Sequence, residues 1–355
     1  MSRAREAIGA AGAEALLVTQ IDNVRWLSGF SGSSGFVLLT PDRALFVTDS
    51  RYATQAQTEC VGLELQVLLT GAPDEICAIV AACGARTVGF EADHLTHTAY
   101  DRYVRLLDGR LQVAPTDGLI AALRMTKDAA EIEATRAACA VADAAFAHIQ
   151  QYIRPGVSEY TIMLELEYFM RRESGAEIAF DTIVASGPRS ALPHGKAAHR
   201  VLEEGDLVTL DYGARLHGYC SDITRTLVLG PATERQREVY ETVLEAQSRA
   251  IKVCRPGLLG RDVDLVARDH IRNAGYGEYF GHGLGHSLGR VVHDGPGFSP
   301  RSETVLAKGM VLTVEPGIYI PGWGGVRIEH DILITQDGCE VLTAAPTALI
   351  ELPLK

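Results

Sequence analysis

The sequence predicts an α+β protein of two domains, a smaller α/β domain over residues 1–124 and a larger domain over 125–355. Three observations predict it. Up to about residue 124, short apolar strands alternate with helical stretches, the pattern of an α/β module. The pattern then changes to a long helix in "KDAAEIEATRAACAVADAAFAHIQQYI", which Asp128 is placed to cap. Beyond a second helix the remaining chain is mostly strand, with two further helices inserted. A length of 355 residues accommodates about two domains, each with a sizeable core.

In the first domain the strands are "EALLVT", "GFVLLT", "RALFVT" and "LELQVLL"; helices follow Arg51 and Pro73 and run through "HTAYDRYVRLL". In the second, Ile132, Cys139, Ala142, Phe146 and Ile149 recur at near-helical spacing and give the long helix one apolar face. "SEYTIMLELEYFMRRES" forms the next helix after the Pro155-Gly156 break. "FDTIVAS", a hairpin in "TLDYGARLHGYCSDITRT", "GMVLTVEPGIYI" and "GVRIEHDILIT" read as strands, with "ERQREVYETVLEAQSRAIKVC" and "GRDVDLVARDHIRNAG" as helices between them. No short repeat runs through the chain.

A net charge of −12 argues against nucleic acid as a partner, because phosphate binding needs a basic surface. "MSRAREAIGAAGAEALLV" carries acids early and lacks the unbroken apolar core of a signal peptide. The apolar run "ICAIVAACGA" is too short to cross a membrane. Seven cysteines, an odd number without a C-x-x-C pair, indicate reduced thiols and a cytoplasmic location. Cys220, beside Asp222, reads as a small buried hydrophobe.

The hairpin raises the chemical question. With its turn centred between Leu216 and His217, Asp211 and Asp222 stand directly opposite each other, Cβ atoms about 4.5–5.5 Å apart. Two like charges so placed repel, and a divalent cation removes the conflict. Further ligands are on offer. "GHGLGHSLGRVVHDGPG" holds His282, His286 and His293; the spacing of four resembles a helical zinc pair, but Gly281, Gly283, Gly285 and Gly289 argue for a loop. Glu315 ends an apolar strand just before Pro316-Gly317, and Glu329 sits inside a strand on one face with Arg327 and Asp331. Singly, each has a bland alternative: a strand aspartate is usually an exposed edge device, and an isolated histidine a hydrogen-bonded structural residue. Together, four carboxylates and one imidazole balance two divalent ions, and an oxygen-rich set suits manganese, with cobalt or zinc as the other candidates.

Taken in order, "LDYGARLHGYCSDITRT", "HGLGHSLGRVVHDGPG", "TVEPGIYI" and "GVRIEHDILIT" resemble the metallopeptidases of the pita-bread fold, in the proline-specific branch of aminopeptidases P and prolidases. "NVRWLSGFSGSSG" and the break near 125 resemble that branch's creatinase-like N-terminal domain, so the likeness covers nearly the whole chain. The resemblance implies Asp211, Asp222, His286, Glu315 and Glu329 as ligands of a two-metal centre, and His194, His282 and His293 as active-site histidines. Arg290 departs from the aliphatic residue common at its position, which bears on the pocket near His293.

By that resemblance the metal pair activates water, Glu315 relays its proton, and His194 or His293 stabilises the oxyanion. The bond before proline is a tertiary amide, so the leaving nitrogen must be protonated and the ring needs an apolar slot. Arg327 would orient Glu329, and Thr224 would do the same for Asp222. A methionine aminopeptidase leaves the N-terminal domain unexplained, creatinase-like hydrolases lack the ligands, and a non-catalytic interaction protein on this fold would not need them. Between the two proline-specific activities, prolidase needs a cation for the free carboxylate, with Arg290 and Arg301 near in sequence. "DSRY" resembles an Asp-x-Arg-Tyr motif of small aminopeptidases P, which tips the expectation toward aminopeptidase P. The resemblance also implies a homodimer acting on proline-containing peptides, in which Asp49, Arg51 and Tyr52 reach a partner's site. The bland alternative is that Asp49 or Ser50 caps the helix that follows.

Overall fold

The computed structural model describes residues 1–354, which fall into two compact units that divide between Arg124 and Met125. The first contains α1 (Ser2–Ala10), β1 (Ala15–Val18), α2 (Ile21–Ser28), β2 (Phe36–Leu39), β3 (Ala44–Asp49), α3 (Ala53–Glu59), β4 (Glu64–Leu68), α4 (Pro73–Ala81), β5 (Thr87–Glu91), α5 (His97–Leu107), β6 (Gln112–Thr116) and α6 (Leu119–Arg124). Its six strands form one sheet in the order β4-β3-β2-β1-β5-β6. The β1–β2–β3 meander is antiparallel, and β4, β5 and β6 join parallel to their neighbours. Both sheet faces are covered: Leu16, Val18 and Val37 pack in one apolar cluster, Ala15, Leu17 and Leu38 in another.

The second unit opens with α7 (Ala129–Ile149), whose N-terminus is closed by reciprocal bonds between Asp128 and Glu131, and continues with α8 (Glu159–Ser174), capped by Ser158. There follow β7 (Glu177–Ile178), β8 (Ile183–Ser186), β9 (Leu207–Tyr212), β10 (Ala214–Leu216), β11 (Tyr219–Cys220), β12 (Ile223–Leu229), α9 (Glu234–Val253) and α10 (Gly260–Asn273). The chain ends in β13 (Val311–Val314), β14 (Gly317–Ile320), β15 (Gly324–Arg327), β16 (His330–Ile334), β17 (Cys339–Val341) and β18 (Glu351–Leu352). Helices α7 and α8 pack with β8, β9 and β12 in one core, and α9 and α10 with β13 to β16 in another. As the α7 periodicity predicts, Cys139, Ala142, Phe146 and Ile149 are buried. Cys220 is a small core residue beside Leu288, Val311 and Leu333.

The hairpin register differs from the sequence expectation. Arg215 pairs with Cys220 and Leu216 with Tyr219, so the two-residue turn is His217-Gly218, with φ of 52° and 80°. Positive φ at both positions matches the right-handed strand twist, and that turn moves the register by two residues. Asp211 therefore faces Thr224, not Asp222. Asp222 is the diagonal neighbour two residues before Thr224, on the same face of the ladder. The two late strands also differ, because each is broken. "GMVLTVEPGIYI" is β13 and β14 on either side of Glu315-Pro316, and "GVRIEHDILIT" is β15 and β16 on either side of Ile328-Glu329. Glu329 thus lies at a break and not inside a strand. Its neighbour Asp331 turns away to accept from Asp222 N and Cys139 Sγ. Near the start, neither Asp49 nor Ser50 caps α3; the cap position is Tyr52.

Candidate metal centre

The two strand breaks bring two carboxylates face to face. Val314 pairs with His330 and Gly317 with Arg327, so the register places Glu315 opposite Glu329 across the interruption. Neither N–H stays in the ladder: Glu315 N donates to Leu284 O at 2.8 Å and Glu329 N to Thr224 O at 3.1 Å. The first of these bonds belongs to the glycine-rich segment, which is a loop, as its glycines predict, and not helical. It lies along β13, with Thr313 N donating to His286 O and Leu288 N to Val311 O. A Cβ on Gly285 would stand 2.0 Å from Thr313 O, so only glycine lets the two backbones approach this closely. That approach sets His286 beside the carboxylates.

His286 Nε2 is 3.5 Å from Asp222 Oδ2 and 3.5 Å from Glu315 Oε1. Its Nδ1 faces Ser287 O at 3.2 Å, an acceptor that places the proton on Nδ1 and leaves the Nε2 lone pair for a ligand. Burial, then the His293 ring 4.2 Å away, pushes His286 down to about 4, so it is neutral. Asp222, His286 and Glu329 each offer one atom within 4.8 Å of the others'. Asp211 Oδ1, Asp222 Oδ1 and Glu329 Oε1 are buried with no hydrogen-bond partner. Orphan carboxylate oxygens in one cavity fit cations, because unpaired buried acceptors are otherwise costly. Burial raises Asp222 and Glu329 well above the usual carboxylate range, with the neighbouring acids adding to it. Glu315 is pushed up to about 8 by burial against the pull of Arg327. Divalent ions reverse this conflict.

Arg327 and Thr224 have partners other than those expected. Arg327 Nη2 donates to Asp211 Oδ2 at 2.6 Å, Nε to Thr224 Oγ1 at 3.0 Å and Nη1 to Tyr319 Oη at 2.8 Å. Thr224 Oγ1 in turn donates to Glu329 Oε2 at 2.6 Å. Arg327 thus orients Asp211 directly and Glu329 only through Thr224, and Thr224 orients Glu329, not Asp222. The shifted hairpin register is the reason, since it sets Thr224 across from Asp211.

Asp211, Asp222, His286, Glu315, Arg327 and Glu329 line a cavity of about 370 Å³ together with Phe180, Ile183, Val292, Phe298 and Tyr319. His194, His282 and His293 line it too. His194 and His293 are exposed, while His282 is half-buried with Nδ1 on Gly283 O at 2.7 Å and Nε2 on Tyr319 Oη at 2.9 Å. Both ring nitrogens of His282 are therefore engaged in the wall. Arg290 is not part of the lining: its guanidinium lies 5.3 Å from the centre of the Tyr219 ring. Asp49 and Arg51 form a two-bonded ion pair at 2.9 and 2.8 Å, which holds Asp49 down at about 2, and Tyr52 Oη bonds Ser33 Oγ at 2.6 Å.

Sequence reasoning missed Tyr319, Arg225 and Gln247. Buried Arg225 donates to Thr224 O at 2.8 Å and to the carbonyl of Glu329, fixing the main chain at two site residues. The signal was available: "TRT" puts polar side chains on both faces of a strand with apolar neighbours, and both faces are buried.

A pita-bread domain whose cavity collects carboxylates and an imidazole, preceded by a creatinase-like domain, defines a class of two-domain metallopeptidases. The chain belongs to metallopeptidase family M24, whose model matches residues 133–336, while the creatinase/prolidase N-terminal domain model matches residues 1–126. The M24 assignment implies divalent metal ions. Among solved structures, the Xaa-Pro dipeptidase from Bacillus anthracis is 47% identical with a TM-score of 0.96, over 99% of this chain and 98% of that one. The X-Pro aminopeptidase from Thermotoga maritima is 40% identical with a TM-score of 0.90, over 97% and 99%. An Xaa-Pro dipeptidase of Pyrococcus furiosus is 40% identical over 330 residues, 92% of each chain. No helix among the described residues is long and apolar enough to cross a membrane.

Proposed function

We propose that the chain hydrolyses the peptide bond between an N-terminal residue and proline, and that Xaa-Pro dipeptides are its preferred substrates. The observation that carries the chemistry is the convergence of Asp211, Asp222, His286, Glu315 and Glu329 on one cavity, with orphan oxygens on three of the acids. These five residues would hold two divalent ions, manganese by the hardness of the donors. When bound, the ions supply a polarised carbonyl and water of lowered pKa. Glu315, with Oε1 steadied by Thr313 Oγ1 at 3.3 Å, has Oε2 left to take the proton of water and pass it to the proline nitrogen. His194 or His293 donates to the developing oxyanion. Phe180, Ile183, Val292 and Phe298 offer the apolar slot for the ring. The seven cysteines, none of them in a disulfide among the described residues, suit a cytoplasmic setting.

The dipeptide preference, which departs from the sequence expectation of aminopeptidase P, is supported by the names of the Bacillus anthracis and Pyrococcus furiosus relatives. One observation favours the aminopeptidase P reading. Among the described residues, the only guanidinium or ammonium lining the cavity is that of Arg327, already engaged by Asp211; Arg290 lies on Tyr219, and Arg301 is exposed and outside the lining. A dipeptide's carboxylate would be met by histidines and hydroxyl groups, with no further guanidinium or ammonium among the described lining residues. The two readings separate in kcat/KM on an Xaa-Pro dipeptide and on the same sequence extended by two residues. We expect the dipeptide to be preferred by about tenfold, 1.4 kcal/mol of differential transition-state binding; preference for the longer peptide would establish aminopeptidase P instead.

We further propose that the protein is a homodimer in which Asp49, Arg51 and Tyr52 of one chain help to position the peptide at the metal centre of its partner. What supports it is the family resemblance of "DSRY" and an exposed Arg51 side chain held in one orientation by Asp49. Mixing Arg51→Ala chains with Asp211→Asn chains tests it. One site of each mixed dimer then has both parts intact, so activity partly returns; recovery no greater than the residual Arg51→Ala activity would mean that the motif acts within its own chain or not at all.

A further inference from the structure

Helix α9 carries a buried glutamine that the chemistry above does not use. Gln247 is 1% exposed and sits mid-helix among apolar buried residues such as Val243, Ala246 and Ala250, whereas the other buried glutamine of α9, Gln236, serves the N-terminal cap. A buried carboxamide needs partners, since leaving its donors unmade is costly. Its Nε2 donates to Val314 O at 3.0 Å and to Ile328 O at 2.9 Å. Both partners are carbonyls, so the amide orientation is fixed by chemistry: only the NH2 group can serve them. Val314 and Ile328 are the residues immediately before Glu315 and Glu329. They stand at the two breaks where the β13–β16 ladder gives way to β14–β15.

The geometry points to Gln247 as a positioning residue of the metal centre, whose one carboxamide replaces the interrupted ladder and sets Glu315 and Glu329 at their mutual spacing. At the breaks the N–H groups of Glu315 and Glu329 are turned outward, to Leu284 and Thr224. Pro316, which has no N–H to give, stands opposite Ile328 in the same register, so no ladder bond from that residue reaches the Ile328 carbonyl. Gln247 supplies the tie from a third element, and its two bonds end one peptide unit from each ligand. Arg225, from the opposite side, holds the Glu329 carbonyl, so that carboxylate is fixed by both. Regular ladder pairing at these positions would keep Glu315 and Glu329 as ordinary strand residues; the breaks let both turn into the cavity, and Gln247 ties the carbonyl before Glu315 to the carbonyl before Glu329.

This inference rests on the two-metal reading, and the experiment separates the two. The metal-free protein is titrated with Mn2+ by calorimetry as wild type, as Gln247→Met, which keeps the volume but donates nothing, and as Val239→Ala, which loosens α9 two turns away. We expect two ions per wild-type chain and two per Val239→Ala chain at unchanged affinity. Gln247→Met should bind the weaker ion about ten- to a hundredfold less tightly, with kcat falling more than KM rises. Gln247→Glu covers the case in which the methionine variant does not fold, because a protonated carboxyl still donates to one carbonyl; it should show a smaller loss of the same affinity. If the wild type binds two ions and every folded Gln247 variant binds them equally well, with only thermal stability reduced, Gln247 is a packing residue and the inference falls. If the wild type binds none, both readings fall.

Discussion

Asp211→Asn is expected to all but abolish peptidase activity, by about a hundred- to five-thousandfold in kcat/KM, and to weaken metal binding while leaving the shape of the side chain unchanged. The reason is charge. Among the described residues, Asp211 Oδ2 is the only carboxylate oxygen that accepts from Arg327, and Oδ1 is a buried orphan in a residue that lines the cavity. The amide removes one of four negative charges from the ion site and leaves a fully buried guanidinium short of its anion. Breaking a buried pair by neutralising one partner costs about 3–5 kcal/mol, and each 1.36 kcal/mol in a barrier is tenfold in rate. Since Arg327 also donates to Thr224, which holds Glu329, the lost restraint spreads to a second carboxylate. Metal content and kcat of the purified variant check this. Normal metal content with near-normal kcat would show that Asp211 is no ligand.

His194→Ala is expected to do the opposite with respect to metal. His194 lines the cavity but is exposed, outside the cluster formed by His286 with Asp222 and Glu315. Its removal should leave both ions bound and lower kcat by about a hundred- to a thousandfold, the usual size of a lost oxyanion donor, with KM little changed. Calorimetry and steady-state kinetics on one preparation check both halves. A variant that loses its metal would place His194 among the ligands.

The contrast between these two residues shows what the sequence made legible. The motifs around Asp211, Asp222, His286, Glu315 and Glu329 drew attention to residues that the fold does gather, because an acid beside an apolar strand is conspicuous without any structure. The α7 cap and face were legible for a similar reason, being local and periodic. The hairpin register was not, because its turn depends on His217 adopting positive φ, which a non-glycine residue seldom does. That one turn transferred Thr224 from Asp222 to Asp211 and Glu329, and with it the expected roles of Thr224 and Arg327. The strand breaks were concealed because the register runs on unchanged across them. Gln247 was hidden more deeply, since the carbonyls it serves lie 67 and 81 residues further along the chain.

The central claim is that the buried carboxylates and His286 hold two divalent ions that the reaction requires. It is tested most directly by stripping the protein of metal and titrating Mn2+ back, with bound metal and Xaa-Pro hydrolysis measured in the same samples. The account predicts an inactive metal-free protein, two ions bound per chain at saturation, and activity that rises as the second site fills. Full activity without metal, or no Mn2+, Co2+ or Zn2+ bound at saturating concentration, would contradict it.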